Sequence, residues 1–189
     1  MAVKNRRLVL FFYLCIIIAM SCVIPEVFSD QYIKARKLIV NQNIHMAVQE
    51  LSTKAAKKLG KWTEIRLLFD SKVQWVNELT VKYFVLVRDA KGQEILYGDI
   101  TYLNVPNGKA HMASIFIHPA TMSKYRKILS VHCEIWAEGK LRDVADIPKR
   151  PAKKWWEMKP PLKGLLISKF YTPFALNKEY DILPIKVEK

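Results

Sequence analysis

One stretch of this sequence combines side chains that bind anions with rings that stack on flat ligands. Between Pro148 and Trp156, four basic residues precede two adjacent tryptophans. Cations hold phosphate, sulfate or carboxylate groups, and indole rings stack on bases or sugars. The stretch is therefore a candidate binding site, formed by Lys149, Arg150, Lys153, Lys154, Trp155 and Trp156. The alternative, which we favour, is a solvated basic loop in which at least one Trp ring packs into the core.

The remaining reactive side chains lack the spacings that common reactions and metal sites require. His111 and His118 are seven residues apart on one predicted strand, so they fall on opposite faces. The sequence has no recognisable nucleophile motif and no glycine-rich phosphate loop. Four carboxylates are interpreted as ion-pair partners on solvated strand faces: Glu78, Glu94, Asp99 and Glu134. We therefore expect a protein that is not an enzyme and that carries no metal and no cofactor.

The composition indicates one folded domain with a strongly basic surface. The chain has 189 residues, of which 51% are hydrophobic and six are Gly, and its formal net charge is +14. These values exclude collagen-like and disordered classes of protein. Three Cys are too few for a disulfide framework. The excess of cations favours attraction to anionic partners.

The first 29 residues have the three parts of a secretory signal peptide. Basic residues at positions 4, 6 and 7 precede an apolar run over 8–24, and Val27-Phe28-Ser29 follow as a cleavage site. The pattern predicts cleavage after Ser29, so that the mature chain begins at Asp30. That mature chain keeps 28 basic and 16 acidic side chains, a net charge of +12.

Two alternatives to cleavage stay open at this stage. The 17 residues of the 8–24 run rise about 25 Å as a helix, slightly less than a ~30 Å hydrocarbon core, and so predict an uncleaved inner-membrane anchor. Cys22 is alternatively the lipid-carrying residue of a bacterial lipoprotein. Cleavage after Ser29 removes Cys15 and Cys22 and leaves Cys133, which alternates with apolar neighbours and is expected to be a buried, inert thiol. All three forms place the rest of the chain outside the cytoplasm.

Alternating apolar residues predict an all-β domain over residues 62–189. Leu79, Val81, Tyr83, Val85 and Val87 form the clearest alternation and are expected to line the core. The predicted strands are 62–69, 79–87, 95–105, 110–118, 130–138, 141–147, 165–170 and 182–187. Short antiparallel strands at this spacing are typical of a sandwich or barrel.

Residues typical of turns separate these predicted strands. Asp89–Gly92 and Pro106–Gly108 are predicted hairpin turns, and Gly139 is a third reversal. Pro119 is placed to begin a short helix. The segment 30–61 is ambiguous: strand over about 36–50 followed by a basic loop or short helix is preferred, and an amphipathic helix ending near Gly60 is the alternative.

Several motifs together resemble a known family. They are residues 62–67, 78–86, 98–105, 117–122, 155–157 and 172–175. In these motifs the chain is similar to exported, pilus-associated immunoglobulin-like proteins of the bacterial Verrucomicrobia group. The resemblance covers about 62–180 and implies an antiparallel immunoglobulin-like sandwich with a cell-envelope or pilus-linked role. It implies no ligand residues, and no prepilin cleavage pattern supports a filament subunit.

These observations predict a non-enzymatic structural or assembly protein of the cell envelope or pilus. The expected location is the periplasm or cell surface, and the expected partners are other envelope or pilus proteins. The alternative function is a binding module for an anionic envelope polymer or glycan through the loop 148–161, with an anionic lipid surface as a related partner. Nucleic acid is not an expected partner, because export removes the protein from most of it.

Overall fold

Six strands build the part of the chain that this computed structural model describes, residues 33–44, 60–151, 153–175 and 184–186. The strands are β1 (Ile33–Ile44), β2 (Trp62–Arg88), β3 (Gln93–Ile117), β4 (Lys127–Ala137), β5 (Lys140–Ile147) and β6 (Leu166–Ser168). A helix, α1, spans Pro119–Tyr125, and single turns of 3-10 helix cover Trp155–Glu157 and Lys169–Tyr171. The predicted signal sequence, Cys15, Cys22 and His45 lie outside the described residues.

All named strand pairs are antiparallel, in the order β5-β4-β2-β3-β6, and β1 also pairs with β2. The first half of β2 pairs with β1 and the second half with β4, while β3 runs beside both halves. Irregularities in register between Phe69 and Trp75 separate the halves. Apolar side chains from both halves lie in one core cluster, as in a β-sandwich. The predicted all-β sandwich is therefore confirmed.

The core is made by the predicted alternation on β2. Leu79, Val81, Tyr83, Val85 and Val87 are each 0% exposed. Their neighbours on the strand point to the opposite face, because successive side chains of a strand alternate. Cys133 of β4 is paired with Tyr83 and is equally buried. The predicted core face and the buried thiol are both confirmed.

The predicted hairpin turn at Pro106–Gly108 is wrong. These residues lie inside β3, where Pro106 is opposite Trp75 and Gly108 is opposite Ser71. Proline is tolerated there because the register of β2 is irregular at that point and the missing N–H breaks no regular ladder. The Asn107 side-chain amide donates to the Lys72 carbonyl oxygen, 3.3 Å away. The two strands predicted at 62–69 and 79–87 are consequently one long strand, and so are those at 95–105 and 110–118.

Two other predicted turns and the helix start are confirmed. Asp89 N–H donates to Gly92 O at 2.9 Å, and its carboxylate accepts from the N–H groups of Lys91 and Gly92. Glu138 and Gly139 have φ values of 53° and 71° and join β4 to β5. Pro119 begins α1, as its fixed φ favours.

The two ends of the described chain differ partly from expectation. Residues 33–44 are strand, as preferred over helix, while 45–59 lie outside the described residues. The strand predicted over 165–170 is shorter, because 3-10 helix begins at Lys169. Ile185 forms a single bridge with Tyr102, within the strand predicted over 182–187. No helix in the described ranges combines the length and apolar character needed to cross a membrane.

Candidate functional site

The loop after β5 carries all six candidate binding residues and folds back over the outer face of the sheet. The register aligns Tyr97, Phe84, His132 and Asp146 in one row across β3, β2, β4 and β5. Side chains paired in this way share a face of the sheet. This row faces away from the core, because Tyr83 and Cys133, the next residues along β2 and β4, point inward.

The two tryptophans pack against this row. The Trp156 indole stacks on the His132 imidazole, with centroids 3.6 Å apart and planes inclined by 7°. Trp155 meets Trp156 edge to face at 5.6 Å and is 8% exposed. The prediction that at least one Trp belongs to the packed interior is confirmed. Both rings are thus engaged within the protein, Trp155 with Trp156 and Trp156 with His132.

The four candidate cations are exposed, but they do not form one cluster. Lys154 Nζ lies 3.3 Å from Glu157 Oε1 within the 3-10 helix region. Lys149 and Arg150 instead line a groove between β5 and β1. Arg36 and Lys37 of β1 line the same groove. The groove therefore brings Lys149 and Arg150 close to two cations of β1 that were not predicted as site residues.

This groove, which we call the β1–β5 groove, has a volume of about 750 Å³. It is lined by residues 35–38 and 144–150. At one point the two strands are tied together, because Ala35 N–H donates to the Asp143 carboxylate at 2.8 Å. Its apolar lining includes Leu38, Ala145 and Ile147, which also pack against the core, and its charged lining includes the four cations.

Local backbone features accompany the cations of the groove. The register of β1 shifts between Ala35 and Lys37, so Arg36 is the extra residue of a bulge. Arg150 has a φ of 57°, a left-handed value that non-glycine residues rarely adopt. Neither feature has a clear signature in the sequence. The run of three cations in Lys34-Ala35-Arg36-Lys37 is visible there, but its position beside Lys149 is not.

His132 has the most elaborate polar surroundings of the outer row. Its Nδ1 lies 2.7 Å from Asp146 Oδ1, and its Nε2 lies 3.5 Å from Glu134 Oε1. Glu134 also accepts from the Trp136 indole N–H at 2.7 Å. These contacts orient the imidazole for stacking on Trp156. The neighbouring Cys133 points to the other side of the sheet, where burial, followed by the charges of Asp146 and Glu134, raises the pKa of its thiol.

Tyr97, at the other end of the row, is also held in its neutral form. Partial burial is the largest cause that raises the pKa of its hydroxyl to about 12. The charge of Asp99 and a hydrogen bond to it add to this effect. A phenol with so high a pKa is a poor nucleophile or base near neutral pH.

The carboxylates considered in the sequence do not meet as an acid–base pair. Glu78 lies 2.7 Å from Lys186 Nζ, and Glu94 lies 2.9 Å from Lys159 Nζ, so their interpretation as ion-pair partners is confirmed. Glu134 lies in the His132 cluster, and Asp99 is opposite Lys82 on the neighbouring strand.

The sequence analysis missed a buried carboxylate, Glu64, which is 0% exposed. It accepts hydrogen bonds from Arg66 Nε at 2.7 Å, Asn41 Nδ2 at 2.9 Å and Ser114 Oγ at 2.9 Å. Its cross-strand partner Phe116 is covered by the ring of Phe174, stacked at 5.2 Å. Glu64 therefore joins three strands as a structural group.

The described histidines take part in packing. His111 lies 5.3 Å from the Phe69 ring, and His118 lies 4.8 Å from the Trp62 ring. Burial lowers the pKa of His111 below its ordinary value of 6.5. Within the described ranges, no group of three or more His, Cys, Asp or Glu side chains is placed to hold a metal ion.

Comparison with known proteins gives information on family and fold. A protein-family model matches residues 33–182 of this chain. A crystal structure of a protein from Akkermansia muciniphila is similar with a TM-score of 0.66 and 19% identity, covering 84% of this chain and 94% of that chain. At this identity, the likeness shows the fold alone.

Two further comparisons add no functional information. The Beta-D-glucoside glucohydrolase from Trichoderma reesei matches with a TM-score of 0.28 and 11% identity, over 61% of this chain and 18% of that chain. So low a similarity carries no argument. No curated protein matches the sequence.

Proposed function

We propose that this chain, which belongs to the family whose model matches residues 33–182, is a non-enzymatic assembly protein of the bacterial cell envelope. The family model covers most of the chain, and the fold of the Akkermansia muciniphila neighbour is consistent with the resemblance to proteins of the Verrucomicrobia. The immunoglobulin-like assignment of the sandwich, export after cleavage at Ser29 and an association with pili are further parts of the proposal.

One observation carries the proposal: His132, Cys133 and Glu64, three side chains of types that often act in catalysis, are engaged in packing. His132 is 2% exposed beneath Trp156, the Cys133 thiol is buried on the core side, and Glu64 binds three neighbouring side chains. A catalytic group must reach a substrate, and these groups do not reach solvent. The chemistry of the site therefore supports binding and assembly.

The distribution of covered and open surface also supports assembly. The loop that carries Trp156 packs on one outer face of the sandwich, and Phe174 packs on Phe116 at the other. The β1–β5 groove lies instead between two strand edges. Strand edges are common sites of pairing with another chain.

The proposal is tested by affinity purification of the chain from envelope extracts of the producing cells, washed at low salt and then at about 1 M salt, where exposed charge contacts are screened within ~3 Å. We expect at least one other envelope protein to remain in a stoichiometric amount after the high-salt wash. Recovery of the chain alone at both salt concentrations would contradict assembly. Capture of an anionic polymer that is lost at high salt would favour the alternative binding function.

Export is tested separately by mass spectrometry of the native N-terminus. A mature chain that begins at Asp30 is expected from the signal sequence. A chain that retains residues 8–24 would replace the cleaved form with the anchored form. A lipid on Cys22 would identify a lipoprotein.

A further inference from the structure

We infer that the β1–β5 groove is a docking site for an extended acidic segment of a partner protein, which adds a strand to the edge of β1 or β5. The inference rests on the proposed assembly function and names the surface and the chemistry of the partner. It is carried by the strand edges, the apolar lining and the cations that meet in the groove.

The first observation concerns the edges of strands β1 and β5. Within the described residues, β1 pairs along its length with β2, and β5 pairs along its length with β4. Their other edges face the groove and are joined by the hydrogen bond between Ala35 N–H and the Asp143 carboxylate. The Asp143 side chain thus occupies the backbone N–H of Ala35, which a further strand would otherwise use for pairing. An edge offers a row of N–H and C=O groups that an extended peptide can match.

The lining of the groove matches the two faces of such a peptide. Leu38, Ala145 and Ile147 provide apolar surface where the groove meets the edge of the core. Side chains of a strand alternate between two sides, so one side of the peptide lies on this surface and the other meets the cations. The matching sequence alternates apolar and acidic residues.

The charges select an acidic partner. Arg36, Lys37, Lys149 and Arg150 line the groove together with one carboxylate, Asp146, giving a net +3 from these residues. Asp146 is already bound to His132 Nδ1 at 2.7 Å, which directs its charge toward the outer row. Two further carboxylates adjoin the groove: Asp143, which accepts from Ala35 N–H at 2.8 Å, and Asp70, which lies 3.6 Å from Arg36 Nε. With them, the four cations exceed the three carboxylates by one charge.

The backbone at two of these cations departs from regular geometry. A bulge at Arg36 re-aims side chains relative to a regular strand. Arg150 has a left-handed φ of 57°, which non-glycine residues rarely adopt. Strained residues of this kind concentrate at functional sites. Both irregularities fall on cations of the same groove.

The observations favour an acidic peptide over two other occupants. A second copy of the mature chain carries the same net charge of +12 and would be repelled at long range. An anionic polysaccharide would meet the cations but would leave the apolar lining and the strand edges without a matching partner. The experiment separates these occupants.

The probe is a short synthetic peptide of alternating Glu and Val, added to the full-length protein. Its binding is measured by fluorescence anisotropy, and backbone pairing is measured by amide hydrogen exchange of β1 and β5. A second peptide has N-methyl groups on alternate residues, which remove strand hydrogen bonds and keep the charge. A third has Lys in place of Glu. We expect the first peptide to bind and to slow amide hydrogen exchange in β1 or β5. The affinity of the N-methyl peptide should be lower by at least about tenfold, and the Lys peptide should not bind.

Two variants with equal loss of charge locate the site. The groove variant combines R36Q, K37Q, K149Q and R150Q, and the control combines R88Q, K91Q, K109Q and K127Q, all exposed residues elsewhere. The groove variant should lose peptide affinity by about tenfold or more, and the control should change it by less than about threefold. If the groove variant does not fold, the double variant K149Q/R150G takes its place, since Gly accepts the left-handed φ.

Three results would overturn the inference: no binding of the acidic peptide, equal binding of its N-methyl form, or equal losses in both charge variants. Equal binding of the N-methyl form would indicate a general polyanion site. The proposed function is tested independently, by the high-salt purification described above. If the groove variant retains its high-salt protein partner, the docking site is wrong and the assembly function stands. If the unmodified chain has no such partner, the assembly function itself fails.

Discussion

The indole of Trp156 lies flat on the imidazole of His132, with ring centroids 3.6 Å apart. The Nδ1 atom of the imidazole lies 2.7 Å from Oδ1 of Asp146, on the strand that leads into the Trp loop. One cluster therefore fixes the loop to the outer face of the sheet. The same loop begins with Lys149 and Arg150, so the stacking contact also helps to place these two cations at the groove.

Replacing Trp155 with Ala should destabilise the fold by roughly 3–5 kcal/mol, the usual cost of removing a large buried ring. Trp155 is 8% exposed and packs on Trp156. Urea unfolding followed by circular dichroism measures the change in the free energy of unfolding. Trp75→Ala is the control, because Trp75 is 52% exposed, and should change this free energy by less than about 0.5 kcal/mol. A W155A variant as stable as the parent would show that the ring is not part of the packed interior.

Val85→Ala should cost roughly 1–3 kcal/mol, because it leaves a cavity in the core face of β2. Val144→Ala removes the same atoms from a largely exposed position on β5 and should cost less than about 0.5 kcal/mol. Thermal and urea unfolding of both variants provide the comparison. Equal effects of the two substitutions would mean that the inward face of β2 has been assigned to the wrong register.

Glu64→Ala should destabilise the protein by about 3 kcal/mol, because it leaves the buried Ser114 hydroxyl, the half-buried Asn41 amide and the Arg66 guanidinium without their acceptor. Glu78→Ala removes an exposed ion pair with Lys186 and should change stability by no more than about 1 kcal/mol. The free energies of unfolding of the two variants are compared in urea. A cost for E64A no larger than that for E78A would argue against a closed hydrogen-bond network around Glu64.

The main core could be predicted from the sequence because its signal is local. Alternation from Leu79 to Val87 fixes which side of β2 faces inward, and Asp89–Gly92 contains its own turn hydrogen bonds. The segment Pro106–Gly108 was predicted as a hairpin turn because the same residue types occur in hairpin turns and in irregular strands. The irregularity opposite them in β2, between Phe69 and Trp75, decides between the two.

The groove and the buried carboxylate depend on contacts that sequence spacing does not encode. Arg36 and Lys149 are separated by most of the chain, and only the packing of β1 beside β5 brings them to one surface. Glu64 occupies an outward position on β2, where alternation predicts solvent. It is buried because its neighbour Phe116 is covered by Phe174, which follows more than fifty residues later in the chain.

The high pKa of Tyr97 predicts a loss of stability in alkali. Its pKa is about 12 in the fold and about 10.0 in the unfolded chain, so the folded state holds the proton more tightly. This contribution is fully present below about pH 10 and is lost as the pH rises from about 10 to about 12. The urea midpoint of the parent should therefore fall relative to that of Tyr97→Phe as the pH rises, because Phe has no proton to lose. A constant difference between them from pH 9 to about 11.5 would contradict the shift.

Zero-length cross-linking of intact envelopes, which joins Lys amines to carboxylates in direct contact, tests the central claim most directly. The account predicts that mass spectrometry will find Lys37 or Lys149 of the groove joined to Asp or Glu residues of a different envelope protein. The exposed lysines Lys91 and Lys127, which lie outside the groove, provide the internal control and should be joined to that protein rarely or not at all. The account would be contradicted if no cross-link to another protein formed, or if those links were as frequent at Lys91 and Lys127 as in the groove.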